Sequence, residues 1–282
     1  MMKESADGHV QAHRFENKMN VRCGLMMFLV LWLVAACAAP TTITSDALPQ
    51  FSGVLLQNQT ISGEIILAAD LLIPEGRILT ILPGTTIYVK PTPSTKIDPE
   101  WLSAETEMLV RGTLRIEGTS DQPVTFVPLE KKADQDVAWA GILFDRSVDS
   151  VVRHAQIFQA ETGILCIDSS PLIQENLIVE SRYGLVMQNG SSPSVSDNMI
   201  GNGEAGVFCW TNSSPELRSN QIAGNEEEGL FIDRSCNPLL DDNRILKNDI
   251  GLAAYDPGLR TLVGSLAGNR EDFRQLREEG GK

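Results

Sequence analysis

Four sets of side chains in this 282-residue chain have the types and spacing for chemistry. Glu161, Glu204, Glu226, Glu227, Glu228 and Asp249 form a recurring acidic series. A row of hard carboxylate oxygens is what Ca²⁺ binds. Asp145-Arg146, Asp168 and Asp233-Arg234 place carboxylates beside guanidiniums, the groups used in acid–base work on sugars. Cys166, Met187 and Cys209 are soft sulfur donors, of the kind that selects Cu(I). Phe208, Trp210, Phe231 and Tyr255 are large aromatics in a chain that is only 6% aromatic. A flat aromatic patch binds a glycan or a protein partner.

What these sets can do depends on where the backbone puts them, and an internal repeat decides that. Glycines fall at 141, 163, 184, 206, 229 and 251, with steps of 21 to 23 residues. Apolar residues follow each: Gly163-Ile-Leu-Cys, Gly184-Leu-Val-Met, Gly206-Val-Phe-Cys, Gly229-Leu-Phe-Ile. Ser-Pro or Asn-Pro comes next, at 170–171, 192–193, 214–215 and 237–238. Each unit then carries an asparagine, Asn176, Asn198, Asn220 or Asn243, with Ile178, Ile200, Ile222 or Ile245 two residues on. Several markers sharing one period define a repeat architecture. Within a unit the apolar positions alternate, which is the period of a strand. Gly and Pro in every unit exclude paired helices.

Three short strands therefore fill each unit, and stacked laps satisfy one another's backbone groups at about 4.8 Å spacing. The residues one and three after each Gly point inward. The first inward column is Ile142, Ile164, Leu185, Val207, Leu230 and Leu252; the second is Phe144, Cys166, Met187, Cys209, Ile232 and Ala254. Stacked Asn176, Asn198, Asn220 and Asn243 form a structural ladder of amides at one corner. Counting back from Gly163 puts Ala155 in the same column, so the ladder begins at Asn176.

This geometry weighs the chemical sets. Asp145 and Asp233 are four laps apart, about 19 Å, whereas paired glycosidase carboxylates stand roughly 5–9.5 Å apart. Asp145 and Asp168 lie on adjacent laps without a third carboxylate or a base. The ends of the Cys166–Met187–Cys209 column are about 10 Å apart, too far to share one ion, so these residues read as core filling. His154 is the only histidine beyond the export signal. No catalytic residue, metal or cofactor is assigned. Arg182 interrupts the acidic series, which reads as a solvated face. Phe208, Trp210, Phe231 and Tyr255 point outward and make the binding stripe.

The N-terminal segment reads as an address. Lys18 and Arg22 precede the apolar run Leu25–Val34, which is too short to span a membrane and fits a secretory signal. Met19 is the expected true start. Removing residues 1–36 takes away Lys3, Arg14, Lys18 and Arg22 against Glu4, Asp7 and Glu16; 19 basic and 34 acidic residues then remain, a net charge of −15. The whole chain stands at −14 with 42% hydrophobic residues. That composition excludes wholesale disorder and nucleic-acid binding. Cys166, Cys209 and Cys236 cannot all pair with one another, so no disulfide framework is predicted.

Two resemblances follow from these residues. Val34-Ala35-Ala36-Cys37 resembles a bacterial lipobox, which implies lipidation at Cys37 and a lipid bilayer as partner. Ala38, rather than Asp, then implies outer-membrane sorting in a Gram-negative host. The repeat resembles those of right-handed parallel β-helix proteins, the family of pectate lyases, tailspikes and NosD-like periplasmic proteins. It covers residues 141–255 closely. Leu72-Ile-Pro-Glu-Gly76, Leu79 to Thr85, Leu109 to Leu114 and Val124-Thr-Phe126 extend it upstream. The resemblance implies a right-handed hand and all-β architecture.

The expected organisation is a signal over 1–36, a lipidated tether over 37–50, a β-helix over 51–257 with an excursion loop at 90–107, and a cap over 258–282. Asn269-Arg-Glu-Asp reads there as the N-cap of a helix running to Glu279, with Phe273 and Leu276 covering the last lap. The functional expectation is a non-catalytic envelope scaffold binding polysaccharide or protein. A polysaccharide lyase or hydrolase and a periplasmic metal-handling accessory are the alternatives.

Overall fold

A computed structural model describes residues 48–91, 102–130 and 137–277. The signal, Cys37 and most of the tether lie outside the described residues, as do residues 92–101 of the expected excursion loop and 278–282 of the expected cap. From Gln50 onward the backbone winds into a parallel β-helix of about nine turns. Each full turn has three flat sides. The first side is an eight-stranded sheet running from Gln59–Ile61 to Leu239–Asp241. The second and third sides are joined into one 18-stranded sheet, because strand Glu64–Ile73 runs through the corner and pairs with a different neighbour at each end.

Alternation in the sequence becomes columns inside the tube. On the first side Ile81, Ile116, Val152, Ile173, Val195 and Leu217 lie in register. On the second, Ile87, Phe126, Ile157, Ile178, Ile200, Ile222 and Ile245 do so. On the third, the two predicted inward columns are fully buried. Each buried aliphatic side chain contributes about 1.5–3 kcal/mol, so a core of this length holds the fold mainly by burial.

The repeat glycine has a steric origin. A Cβ at Gly163 would lie 2.3 Å from Ile178 Cγ2, and at Gly184 2.2 Å from Ile200 Cγ2. Gly206 and Gly229 meet Ile222 and Ile245 in the same way, at 2.5 and 2.6 Å. Backbone oxygens of the next lap crowd the same space. Glycine on side three and isoleucine on side two are therefore one packing unit, which is why they recur together.

Corners depend on single residues in the left-handed region. His154, Glu175, Asp197, Ser219 and Asp242, each one residue before the ladder position, have φ between 47° and 58°. Such geometry disfavours non-glycine residues by about 1–2 kcal/mol each, and hydrogen bonds beside it offset that. Asn198 Oδ1 accepts from the Asn176 N–H and Nδ2, both at 2.9 Å, while Asn198 Nδ2 donates to Ile173 O at 3.0 Å. The same pattern links Asn198 to Asn220 and Asn220 to Asn243. Ala155 donates its N–H to Asn176 Oδ1 at 2.8 Å. A second, unforeseen ladder runs through Asn225, Asn248 and Asn269 at the next corner.

The C-terminal region departs from the expected helix over 269–279. Leu259–Leu262 is a one-turn helix in place of a ninth strand on side one, and Gly264–Ala267 and Glu271–Gln275 are strands. Two interactions override the local helix signal. Asn269 accepts from Asn248 as the last member of the second ladder, so it is not a helix cap. Phe273 continues the Leu252 column. The solenoid thus extends to Gln275 rather than stopping at 257.

The cysteines also correct the sequence reading. Cys209 and Cys236 form a disulfide, with Cα atoms 6.2 Å apart, and Cys166 stays a buried thiol. Ser147, Ser169 and Ser191 stack at the remaining corner, each hydroxyl accepting the N–H of the preceding lap where a partner exists. Cys236 follows Ser213 by 23 residues in this column and bonds back to the neighbouring lap. The buried Ser213 hydroxyl has no hydrogen-bond partner.

Asn198→Ala strips a buried acceptor from Asn176 and a donor from Ile173. We expect a loss of about 3 kcal/mol, read from the midpoint of urea unfolding. Reduction of the disulfide, which closes a separation of 27 residues, is expected to remove about 3.5 kcal/mol in the chain-entropy account, seen as a lower Tm with reductant.

Candidate functional site

Side three carries the site on its outer surface. At the repeat Gly the chain turns so that Gly and the next residue both face inward; the residue before Gly faces out, as do those two and four after it. Three outward columns result. One holds Ala140, Thr162, Tyr183, Ala205, Glu228 and Ile250. Another holds Leu143, Leu165, Val186, Phe208, Phe231 and Ala253. Trp210 and Asp233 belong to the third.

Aromatic rings gather where the columns meet. Phe208 and Trp210 stack with centroids 5.8 Å apart and planes 8° from parallel. Trp210 lies 4.6 Å from Phe231, and Phe208 lies 5.2 Å from Phe231. Tyr183 meets Phe208 edge-on at 5.5 Å. Such pairs add about 0.5–1.5 kcal/mol each beyond burial. Trp210 keeps 38% of its surface exposed. Tyr255, expected in the stripe, makes no ring contact among the described residues. It lies two laps past Trp210, with Asp233 at the intervening position. Tyr183 was missed because strict alternation from the Gly puts its position inside; the inward turn of the glycine is the signal that reverses it.

The rings border a groove parallel to the tube axis. A hollow of about 300 Å³ lies between Leu165, Tyr183, Val186 and Trp210. It shares Thr162 and Leu165 with a second, of about 540 Å³, roofed by Leu102 to Glu105. That segment is pinned where Leu102 and Ser103 donate backbone N–H groups to the buried Glu107 carboxylate at 3.0 and 2.8 Å. Under it Leu143 packs in a small outer cluster with Leu72, Leu109 and Ala140. The described part of the excursion loop thus covers the early laps, and the aromatic cluster begins beyond it.

Charged residues edge the groove. The position two before each Gly runs Glu161, Arg182, Glu204, Glu227, Asp249 and then Arg270. Arg182 Nε contacts Glu204 Oε2 at 2.8 Å, and the guanidinium stands 5.2 Å from the Tyr183 ring centre. Tyr183 Oη donates to Glu204 Oε1 at 3.2 Å. Arg270 Nη2 donates to Asp249 Oδ2 at 2.7 Å. Glu227 lies between these two pairs. Partial burial, then the negative charges of Glu204 and Glu228, push its carboxyl above the usual range.

The catalytic candidates do not converge. Asp145 accepts from Arg111 Nε at 2.8 Å and Arg146 Nε at 3.1 Å. Burial alone would raise its pKa, but the two guanidiniums outweigh it and hold the carboxyl below the usual range. Asp233, four laps away, accepts from Ser235 Oγ at 2.6 Å. His154 pairs with Glu175 at 2.8 Å on the corner between sides one and two, away from the groove. In the sulfur column, the Cys209 sulfur is bonded to Cys236, and burial pushes the Cys166 thiol up. Neither offers the thiolate that a soft metal needs. Among the described residues no group of three or more His, Cys, Asp or Glu could hold a metal ion.

A family model agrees with this fold. Residues 140–266 match the family model for a right handed beta helix region, and the architecture is the right-handed parallel β-helix. Among solved structures, a mutant of the periplasmic alginate epimerase AlgG is 13% identical, with 80% of this chain and 75% of that chain covered and a TM-score of 0.45. The A-module of the Azotobacter vinelandii mannuronan C-5 epimerase AlgE4 is 14% identical over 72% of each chain, with a TM-score of 0.34. No curated protein matches the sequence.

Two substitutions should shift stability with opposite pH signatures. Asp145 has a lowered pKa, so its contribution is present above the unfolded-state value near 3.9 and is lost as pH falls through the folded one. Asp145→Asn is therefore expected to lower Tm at neutral pH, with the gap closing only in strong acid. Glu227 has a raised pKa, so its ionised form weakens the fold. Glu227→Gln is expected to raise Tm at neutral pH, the gain vanishing below the ordinary glutamate range near 4.3. Melting curves from pH 3 to 8 check both.

Proposed function

We propose that this chain is an exported, lipid-anchored β-helix of the cell envelope that binds polysaccharide along side three without cleaving it. The stacked Phe208–Trp210–Phe231 cluster carries the reading. A monomer gains nothing by leaving an indole 38% exposed, and flat pyranose rings fit stacked aromatic planes. The groove runs along the tube axis, so an extended polymer meets successive laps. A disulfide fits an oxidising compartment, and the lipobox-like Val34 to Cys37 supplies the anchor. Binding rather than cleavage is favoured because Asp145 is neutralised by two guanidiniums and Asp233 stands four laps away, so these two carboxylates form no acid–base pair. Envelope proteins are the other class of partner for the same face.

Trp210→Ala is expected to leave the circular dichroism of the fold unchanged, to lower Tm only by the two lost ring contacts, and to weaken binding on a polysaccharide array by at least about tenfold, the effect of a stacking hot spot. Unchanged binding would falsify the assignment of the stripe. Release of reducing ends from any bound polymer by the wild-type chain would overturn the non-cleaving part.

A further inference from the structure

We infer that the polymer recognised by the aromatic groove is built of amino sugars bearing free ammonium groups. This rests on the binding reading above and adds the charge of the ligand. The faces of Phe208, Trp210 and Phe231 present negative π density, which attracts cations. Carboxylates flank them on both sides. Glu228 opens the strand that carries Phe231, in the outward column that Tyr183 occupies two laps earlier. Asp233 follows Phe231 by two residues, just past the end of its strand, about 7 Å further along the chain. Across the corner stands Glu227, whose carboxyl is pushed above the usual range by partial burial and then by the charges of Glu204 and Glu228.

The nearby cations are engaged. Arg182 is held by Glu204 at 2.8 Å and lies over Tyr183. Arg146 is bound to Asp145, and Arg274, two laps beyond Phe231, is bound to Glu271 at 2.6 Å. The chain as a whole carries −14. A polyuronate would bring one carboxylate per sugar into this field and be repelled. A neutral sugar would gain stacking alone. An ammonium on the ring edge gains stacking, attraction to the indole face and a carboxylate partner together.

Isothermal titration of the full-length chain separates the cases, using a β-1,4-linked glucosamine hexamer, its fully N-acetylated counterpart and a hexuronate. We expect the glucosamine hexamer to bind at least about tenfold more tightly than the N-acetylated one, and the hexuronate most weakly. The preference should shrink in about 0.5 M salt, where exposed charges are screened. Glu228→Gln should reduce it by about threefold with the melting curve unchanged. Equal or tighter binding of the N-acetylated hexamer or hexuronate, still lost in Trp210→Ala, would sink the charge inference and leave the groove reading standing. Binding of all three that ignores Trp210→Ala would sink the groove reading itself. Tighter, Trp210-dependent binding of a poly-lysine peptide would overturn the proposal in favour of a basic protein partner.

Discussion

A missing methyl group governs this molecule. Where the second side turns into the third, an isoleucine Cγ2 from the second side occupies the space in which a Cβ on Gly163, Gly184, Gly206 or Gly229 would sit. That exclusion sets the corner, and the corner fixes which residues of the following strand look inward. Once Gly and its successor both face the core, the residue before the glycine must point outward. The burial of Leu185 and Met187, and the exposure of Tyr183 and Trp210, are consequences of one steric contact repeated lap after lap.

The outer surface inherits its order from that core. Parallel, in-register laps convert sequence period into straight rows, so an aromatic at the same repeat position in two units must lie beside its counterpart. Phe208 and Phe231 are such a pair, in register across adjacent strands. Charges obey the same rule: the column through Arg182, Glu204, Glu227 and Asp249 is a line of neighbours because the chain returns to the same point each turn. Isolated exposed ion pairs add little stability, so the row acts mainly through the electrostatic field that it lays along the groove.

Much of this was legible in the sequence because it is periodic. The inward columns, the asparagine positions and the outward aspect of Phe208, Trp210 and Phe231 follow from counting. What escaped counting depends on contacts between units that the period does not encode. Tyr183 needed the inward turn of Gly184. Cys236 stands where earlier laps carry serine, and only the closeness of two laps reveals Cys209 as its partner. Residues 269 to 275 carry a helix-like local signal, yet Asn269 and Phe273 each complete a column begun elsewhere, and the longer-range partners prevail. Tyr255 shares a column with Trp210, but the ring between them is replaced by Asp233, so a common face did not mean a common cluster.

The asparagine ladder has a direction. Each amide oxygen receives protons from the lap before it, and each amide nitrogen donates onward to the next oxygen and back to an earlier carbonyl. A unit inserted whole finds the donors and acceptors it needs on either side, whereas a fractional unit strands an amide at each junction. Groove length in this scaffold is therefore quantised: it can change by complete repeats but not by fractions of one.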